Sequence, residues 1–147
     1  MSDQRTDDLI IFFDMTLGDG GQIRGVDFTA ADKQFIAQAL DDFGIEYTEG
    51  NWPGGNPTDD MFFSNDRKLK NVELVAFGIT RRRGRSIEND PGLDAILDAR
   101  TNATCLVDKT FDFHVSTALN IDLDENLQMI SESVAAVKAP DARGCLT

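Results

Sequence analysis

The chain has 147 residues, of which 41% are hydrophobic and 27% are charged, a composition that suits a single globular domain spanning residues 1–147. Twenty-six acidic against 14 basic side chains give a formal net charge of -12, which repels a phosphate backbone and excludes nucleic acid as an expected partner. The longest apolar run, residues 9–13, is far shorter than the ~18 residues of a membrane span, and no signal peptide pattern precedes it. We therefore expect a cytoplasmic protein with no membrane partner.

Apolar strands alternate with amphipathic helices along the chain. Residues 8–14 form a continuous apolar run between acids, which indicates a strand buried on both faces. Thr29 is a suitable N-cap, and apolar residues then recur at helical spacing until Gly44. Residues 50–57 are rich in glycine and proline and predict a loop. Further strands are predicted at 45–48, 72–77 and 103–107, and further helices at 59–70, 91–100 and 123–138.

This alternation predicts an α/β fold with a parallel sheet and right-handed crossovers. Two closures are compatible with it. A doubly wound sheet would be complete at this length, whereas a (β/α)₈ barrel needs about 250 residues and would be only half built. Length alone favours the doubly wound sheet. The first strand is not followed by a G-x-G-x-x-G sequence or a P-loop lysine, so nucleotide binding has little support.

Polar side chains follow each predicted strand, and the carboxyl ends of parallel strands meet at one edge of a sheet. Carboxylates, amides and arginines at such an edge suit a hard cation and a carboxylate-bearing ligand. The alternative is that they are ordinary solvated loop residues. The chain has a single histidine, so any metal must depend on carboxylates.

The two cysteines, Cys105 and Cys145, have no C-x-x-C spacing and are expected to be reduced thiols.

Four segments resemble motifs of one enzyme family, the citramalate, 2-isopropylmalate and homocitrate synthases. Residues 13–22 (FDMTLGDGGQ) are similar to the family signature Asp-Thr-Thr-Leu-Arg-Asp-Gly-x-Gln. Residues 47–57 (YTEGNWPGGNP), 75–84 (VAFGITRRRG) and 108–115 (DKTFDFHV) resemble successive strand-end motifs of the citramalate synthase branch. The motifs keep their order and spacing over almost the whole chain.

The resemblance implies a (β/α)₈ barrel, of which this chain would form the first four units, and it replaces the doubly wound closure. It implies condensation of acetyl-CoA with pyruvate or another 2-oxo acid in a Claisen-type reaction that depends on a divalent metal (Mn²⁺, Mg²⁺ or Zn²⁺). Two alternatives stay open: a 2-isopropylmalate synthase acting on a larger 2-oxo acid, and a non-catalytic half-barrel that serves as a binding or assembly module. Because a half-barrel leaves a strand unpaired at each edge, we expect a homo-oligomer.

The resemblance also implies roles for individual residues. Asp19 matches a metal ligand, and Glu49 and His114 match residues of the substrate cavity for which we expect catalytic roles. The substrate-binding residues implied in the same way are Gln22, Thr80 and Arg81.

Two departures from the family pattern bear on activity. Gly18 stands where the signature has an arginine that contacts the oxo acid, which removes five donors and a fixed positive charge. The family's fifth-strand glutamate and seventh-strand His-x-His ligands lie beyond the matched motifs. We therefore expect weak metal binding and no condensation by the chain alone, and we expect Gly18→Arg to affect turnover only in a complete barrel. Smaller departures are Met15 for threonine, Asn51 for glycine and Gly55 for serine.

Overall fold

A four-stranded parallel sheet runs through this computed structural model, which describes residues 10–65 and 68–139. The strands are β1 (Phe13–Asp14), β2 (Tyr47–Glu49), β3 (Glu73–Ile79) and β4 (Ala103–Val107). Each strand pairs with its predecessor in the order β1-β2-β3-β4. This order confirms the barrel-type arrangement, because a doubly wound sheet reverses direction at a switch point.

A helix follows each strand, but the helix predicted at 59–70 is observed at Pro57–Ser64, because Asn56 caps it and Pro57 starts its first turn. The helices are α1 (Ala30–Phe43), α2 (Pro57–Ser64), α3 (Pro91–Asp98), α4 (Asp112–His114) and α5 (Leu123–Val137). Short 3₁₀ turns at Asp19–Gln22 and Ile87–Asn89 and a π-helical turn at Val115–Leu119 complete the connections. The described helices do not include one with the length and apolar character needed to cross a membrane.

Helix α1 begins and ends where the sequence predicts. Thr29 and Asp32 form a reciprocal capping box, and Gly44 ends the helix at φ 86°, a left-handed conformation that favours glycine. Its buried face differs from the simple apolar pattern. Phe35 and Phe43 are 76% and 84% exposed, whereas the residues on the buried side are Ala30, Lys33, Ala37 and Asp41. The two charged residues are buried because each has hydrogen-bond partners in the interior.

Strand β1 is shorter and more exposed than predicted. Residues 8 and 9 lie outside the described part of the chain, and only Phe13–Asp14 pairs with β2. Ile10, Ile11 and Phe12 are exposed, so the prediction of burial on both faces is wrong for them. The physical reason is that β1 is an edge strand of the described sheet, with a neighbour on one side only.

Helix α5 also turns a different face inward from the one its sequence suggests. Leu127 is 63% exposed and Val134 is exposed, although both belong to the apolar stripe of the sequence. The buried residues are instead Asn126, Met129 and Ser133. Two donated hydrogen bonds accompany this burial: Asn126 Nδ2 donates to the Lys109 carbonyl and Ser133 Oγ to the Met129 carbonyl, whereas Asn126 Oδ1 has no partner among the described residues.

The main core lies between one face of the sheet and helices α1 to α3. Leu74 and Ala76 of β3 pack there with apolar residues of the helices, including Phe62, Leu93 and Ile96. Trp52 packs against Gly78 and Gly92. Alternate strand residues point to the opposite face, where Phe13, Ile79 and Val107 are exposed. We call this side of the sheet the open sheet face.

Candidate functional site

Glu49 ends strand β2 on the sheet face opposite the main core. It is only 4% exposed. A Cβ placed on Gly18 would lie 2.5 Å from its Oε1, so the carboxylate occupies the space beside this glycine. Within the described ranges, no hydrogen bond or ion pair reaches the carboxylate. Glu49 is therefore a buried acid with no protein partner in this part of the chain.

Asp19 is close enough to Glu49 for its charge to act on the Glu49 carboxyl. It opens the 3₁₀ turn that directly follows Gly18. Burial, and then the negative charge of Asp19, raise the pKa of the Glu49 carboxyl above its usual range. A buried carboxyl with a raised pKa at a strand end is a candidate for proton transfer. The structure thus brings together Asp19 and Glu49 from two strand ends.

Gln22 ends the same 3₁₀ turn and lines a polar cavity of about 480 Å³. A buried ion pair between Lys33 and Asp59 forms another part of its wall. The Lys33 Nζ also donates to the Gly50 carbonyl at 3.3 Å, directly after Glu49. The pair therefore ties α1 and α2 to the loop that follows the candidate acid.

Two amides complete the surroundings of Asp59. The Nδ2 atoms of Asn51 and Asn56 donate to its Oδ2 at 3.0 and 2.6 Å. Asn51 adopts φ 83°, a left-handed conformation that asparagine tolerates better than most residues. Sequence reasoning missed Lys33 and Asp59. The sequence contained one signal for Lys33: it lies on the same helical face as Ala30 and Ala37, both small apolar residues. The positive charge of Lys33 nevertheless favoured solvent exposure of this face.

Thr80 and Arg81 follow strand β3, and both are buried. The Thr80 N–H donates to the Val107 carbonyl. The Arg81 Nε lies 2.5 Å from Glu132 Oε2 of α5, and its Nη1 donates to the Arg85 carbonyl at 3.1 Å. The guanidinium is therefore directed to α5 and its own loop, and its described contacts do not include Asp19 or Glu49. Its substrate-binding role stays a prediction, as does that of Thr80.

His114 ends helix α4 and is exposed. Its ring meets Phe111 edge to face with 5.2 Å between centroids, and the Phe113 ring lies 6.2 Å away. Its described contacts are thus aromatic, and the structure does not place it against the Asp19–Glu49 pair. The catalytic role of His114 stays a prediction.

A divalent metal needs more ligands than the described residues bring together. Mg²⁺ takes about six oxygen ligands and Zn²⁺ about four ligands of mixed type. Among residues 10–65 and 68–139, no three His, Cys, Asp or Glu side chains converge on one point. Asp14, a further candidate, accepts hydrogen bonds from the backbone and hydroxyl of Thr16. The described residues do not fit a complete metal site.

Cys105 of β4 shares the open sheet face with Glu49, and it is a free thiol as predicted. Burial, followed by the negative charge of Glu49, raises the pKa of this thiol. The charge of Glu49 thus reaches across the sheet face. Cys145 lies outside the described residues.

The sequence profile of the HMGL-like family matches residues 9–143. The chain belongs to the HMGL-like family. The chain is 46% identical over 140 residues to (R)-citramalate synthase of Streptomyces coelicolor, covering 93% of this chain and 26% of the relative. It is 44% identical over 131 residues to (R)-citramalate synthase of Aquifex aeolicus, covering 88% of this chain and 25% of the relative.

A third relative, 2-isopropylmalate synthase of Carboxydothermus hydrogenoformans, is 32% identical over 127 residues, which cover 86% of this chain and 24% of the relative. The chain spans about a quarter of the length of these curated relatives. The resemblance found in the four motifs is confirmed. As an HMGL-like chain, it carries four consecutive βα units of a (β/α)₈ barrel.

Proposed function

We propose that the chain supplies the first four βα units of a barrel that condenses acetyl-CoA with pyruvate, as an (R)-citramalate synthase-type acyltransferase. The observation that carries this proposal is the difference in identity between two groups of relatives. Identity is 39–46% to five (R)-citramalate synthases and 27–32% to three 2-isopropylmalate synthases. Pyruvate is therefore favoured over a larger 2-oxo acid.

In such a condensation, the methyl carbon of acetyl-CoA loses a proton and attacks the keto carbon of the oxo acid. Hydrolysis of the thioester then releases CoA. Glu49 has the burial and the raised pKa of a group that transfers a proton at the strand ends. The Gln22 amide lies one turn after Asp19 and can hydrogen-bond the oxo acid.

Asp19 is the ligand that this chain would contribute to a divalent cation in the complete barrel. The carboxylates of Asp19 and Glu49 alone give too few oxygens for a tight site, so we expect weak Mn²⁺ binding by the chain. Calorimetry of Mn²⁺ with the chain and with Asp19→Asn tests this. A micromolar site that persists in Asp19→Asn would contradict the assignment.

Thr80, Arg81 and His114 complete the proposed site. They follow β3 and β4, at the same sheet edge as Glu49. Arg81 is paired with Glu132 through Nε, so a substrate carboxylate would bind its remaining N–H donors or replace Glu132. His114 is exposed and can reach a ligand at this edge only through movement of α4 or of its own side chain.

A second candidate function is that of a non-catalytic half-barrel that assembles with a second copy or with another chain. Exposed apolar side chains on the open sheet face favour it: Phe13, Ile79 and Val107. The incomplete metal ligand set and Gly18 also favour an inactive isolated chain. Under this proposal the chain forms a homo-oligomer, and light scattering at high concentration should give a mass above the 16.2 kDa of one chain.

The deciding experiment measures thiol release from acetyl-CoA with pyruvate and Mn²⁺. The chain is tested alone and together with the C-terminal half of a related citramalate synthase. We expect turnover only in the combination, with pyruvate preferred over 2-oxoisovalerate. Glu49→Gln should abolish this turnover, and Glu46→Gln, which removes a charge three residues away, should not.

Two results would contradict these proposals. Absence of turnover in a well-assembled combination would leave the assembly function as the better account. Turnover by the chain alone would contradict the proposal that it is inactive in isolation.

A further inference from the structure

The loop that follows β3 concentrates positive charge in an otherwise acidic chain. The chain has 26 acidic and 14 basic side chains, yet residues 80–85 contain four arginines and no acid. Arg82 and Arg83 are exposed, and among the described residues no hydrogen bond or ion pair reaches either guanidinium. An anionic ligand can therefore bind both groups without displacing a protein partner.

Buried groups hold the backbone of this loop in place. The Arg81 N–H donates to Ser133 Oγ at 2.9 Å, and the Arg82 N–H donates to Asp90 Oδ2 at 2.6 Å. Ser133 and Asp90 are both buried. The Arg85 N–H then donates to the Arg82 carbonyl at 3.1 Å. Because the backbone is already ordered, binding at this loop costs less conformational entropy than binding at a free loop.

A cavity of about 300 Å³ extends from this loop to the end of β4. Arg82 and Arg83 line it, together with Lys109. Its apolar lining includes residues of two strands and of α5: Ile79, Val107 and Met129. Cationic groups thus border an apolar surface, a combination that suits a ligand with an anionic head and an aliphatic body.

Asp108 lines the same cavity and lacks a hydrogen-bond donor. Its Oδ1 accepts the Lys109 N–H at 2.7 Å, whereas its Oδ2 is buried and has no partner among the described residues. An N–H group of a bound ligand would supply the missing donor. The negative charge of Asp108 also disfavours an anion beside it, so the anionic part of a ligand belongs at the arginines.

We propose that this loop and cavity bind a diphosphate ester with an amide-bearing aliphatic arm, with the phosphates at Arg82 and Arg83 and the arm along the cavity. A guanidinium can donate two parallel N–H groups to phosphate oxygens, and an amide N–H of the arm can donate to Asp108. CoA carries such an arm, phosphopantetheine. The inference therefore rests on the proposed function and names the part of the chain that holds acetyl-CoA.

Calorimetry of CoA with the chain tests this assignment and needs neither pyruvate nor Mn²⁺. Arg82→Gln and Arg83→Gln should each raise the Kd about two- to fivefold, and the double variant should raise it about tenfold. Arg100→Gln is the matched control, because Arg100 is an exposed arginine near the start of β4, at the opposite end of the sheet. Equal losses in all three single variants, or absence of CoA binding, would overturn the proposal.

NMR of the chain labelled with ¹³C-methyl isoleucine tests the role of the cavity. CoA should shift the methyl resonance of Ile79 and leave that of Ile96, which is buried in the main core. Inorganic pyrophosphate lacks the arm, so it should bind more weakly than CoA and shift Ile79 less. Pyrophosphate that binds as tightly as CoA would show a simple anion site without a role for the cavity, and this result would overturn the proposal.

The inference and the proposed function fail separately. In the assembled barrel, Arg82→Gln combined with Arg83→Gln should raise the KM for acetyl-CoA about tenfold and leave kcat and the KM for pyruvate unchanged. Absence of turnover with intact CoA binding would contradict the condensation reaction and leave this site supported. Turnover with an unchanged KM for acetyl-CoA in the double variant would overturn the site and leave the condensation reaction supported.

Discussion

The Arg81 guanidinium is bound to the Glu132 carboxylate of α5, with 2.5 Å between Nε and Oε2. The backbone N–H of Arg81 also donates to Ser133 Oγ at 2.9 Å, and Ser133 is fully buried. The loop after β3 and helix α5 are therefore fixed to each other by one residue. Because Nε and Nη1 already donate to Glu132 and to the Arg85 carbonyl, an anionic ligand would have to bind the remaining N–H donors of the guanidinium or displace these partners.

Arg81→Met should destabilise the chain by about 1–3 kcal/mol, because it removes a partly buried ion pair and a bond to the Arg85 carbonyl. Urea unfolding measures this loss. Arg83→Met is the control, since Arg83 is exposed in the same loop, and its effect should be within about 0.5 kcal/mol. Equal stabilities of the two variants would show that the pair with Glu132 contributes nothing to folding.

Lys33→Met should be among the most destabilising single changes, costing about 3–5 kcal/mol, because it leaves Asp59 buried without its cation. Adding Asp59→Asn should recover part of this loss, since the amide oxygen can still accept from Asn51 and carries no charge. Lys70→Met, at an exposed lysine, is the control for loss of a positive charge. A double variant no more stable than Lys33→Met would contradict the importance of the unpaired charge.

Asp41 links α1 to the start of β3 through its carboxylate. Hydrogen bonds from the backbone N–H groups of Val72, Asn71 and Lys70 hold its pKa below its ordinary 3.8, although burial opposes this shift. A lowered folded pKa stabilises the fold above pH 3.8, and this contribution is lost as the pH falls through the folded value. Asp41→Asn should therefore lower Tm at pH 7, and the difference from the unmodified chain should shrink below pH 4.

The neighbouring acid provides a matched control for this pH dependence. Asp42 is exposed and accepts one hydrogen bond, from Gln38. Asp42→Asn should change Tm little at any pH between 3 and 7. If Asp41→Asn and Asp42→Asn gave parallel Tm curves, the three backbone hydrogen bonds would not explain the stability of this junction.

Glu49 should show the opposite pH dependence. Its folded pKa is raised above its ordinary 4.5, so the ionised form is disfavoured in the folded chain at neutral pH. Glu49→Gln should raise Tm at pH 7 by roughly 1–4 °C, and the gain should fade as the pH falls through the raised pKa toward 4.5. A loss of Tm at pH 7 would show that the ionised carboxylate has a stabilising partner. The expected gain is typical of an acid placed for function at a cost in stability.

The order of elements was predictable because local signals and global topology agree. Caps at Thr29 and Gly44, and the proline at the start of α3, set predicted helix boundaries with little influence from the rest of the fold, whereas Pro57 was assigned to a loop although it starts α2. The parallel alternation of strands and helices then required each strand to be followed by a crossover. Choosing the barrel over the doubly wound sheet needed the family motifs, because length favours the other closure.

The buried faces were not predictable from apolarity alone. Lys33 and Asp41 are interior because distant residues satisfy them, and a pattern of hydrophobic spacing contains no information on such partners. Leu127 and Phe43 are exposed although their spacing is typical of a core face. In the site, Asp19 and Glu49 were expected at the same sheet edge because each follows or ends a parallel strand. The orientation of the Arg81 guanidinium was not predictable, because it depends on Glu132, 51 residues away.

Alkylation of Cys105 should report the charge of Glu49 across the open sheet face. Burial, followed by this charge, raises the thiol pKa above its ordinary 9.0. Glu49→Gln removes the second cause, so at pH 8 the reactive thiolate fraction should increase and iodoacetamide should react about two- to fivefold faster. The measurement uses a Cys145→Ser background so that Cys105 is the single thiol, and Glu73→Gln on neighbouring β3 should leave the rate unchanged.

Because the effect of Glu49→Gln arises from the thiol pKa and not from access of the reagent, the alkylation rates with and without this change should converge at a pH well above the thiol pKa. Rates that stay different at high pH would show that Glu49→Gln opens the face to the reagent, and identical rates at pH 8 would show that the carboxylate does not act on Cys105.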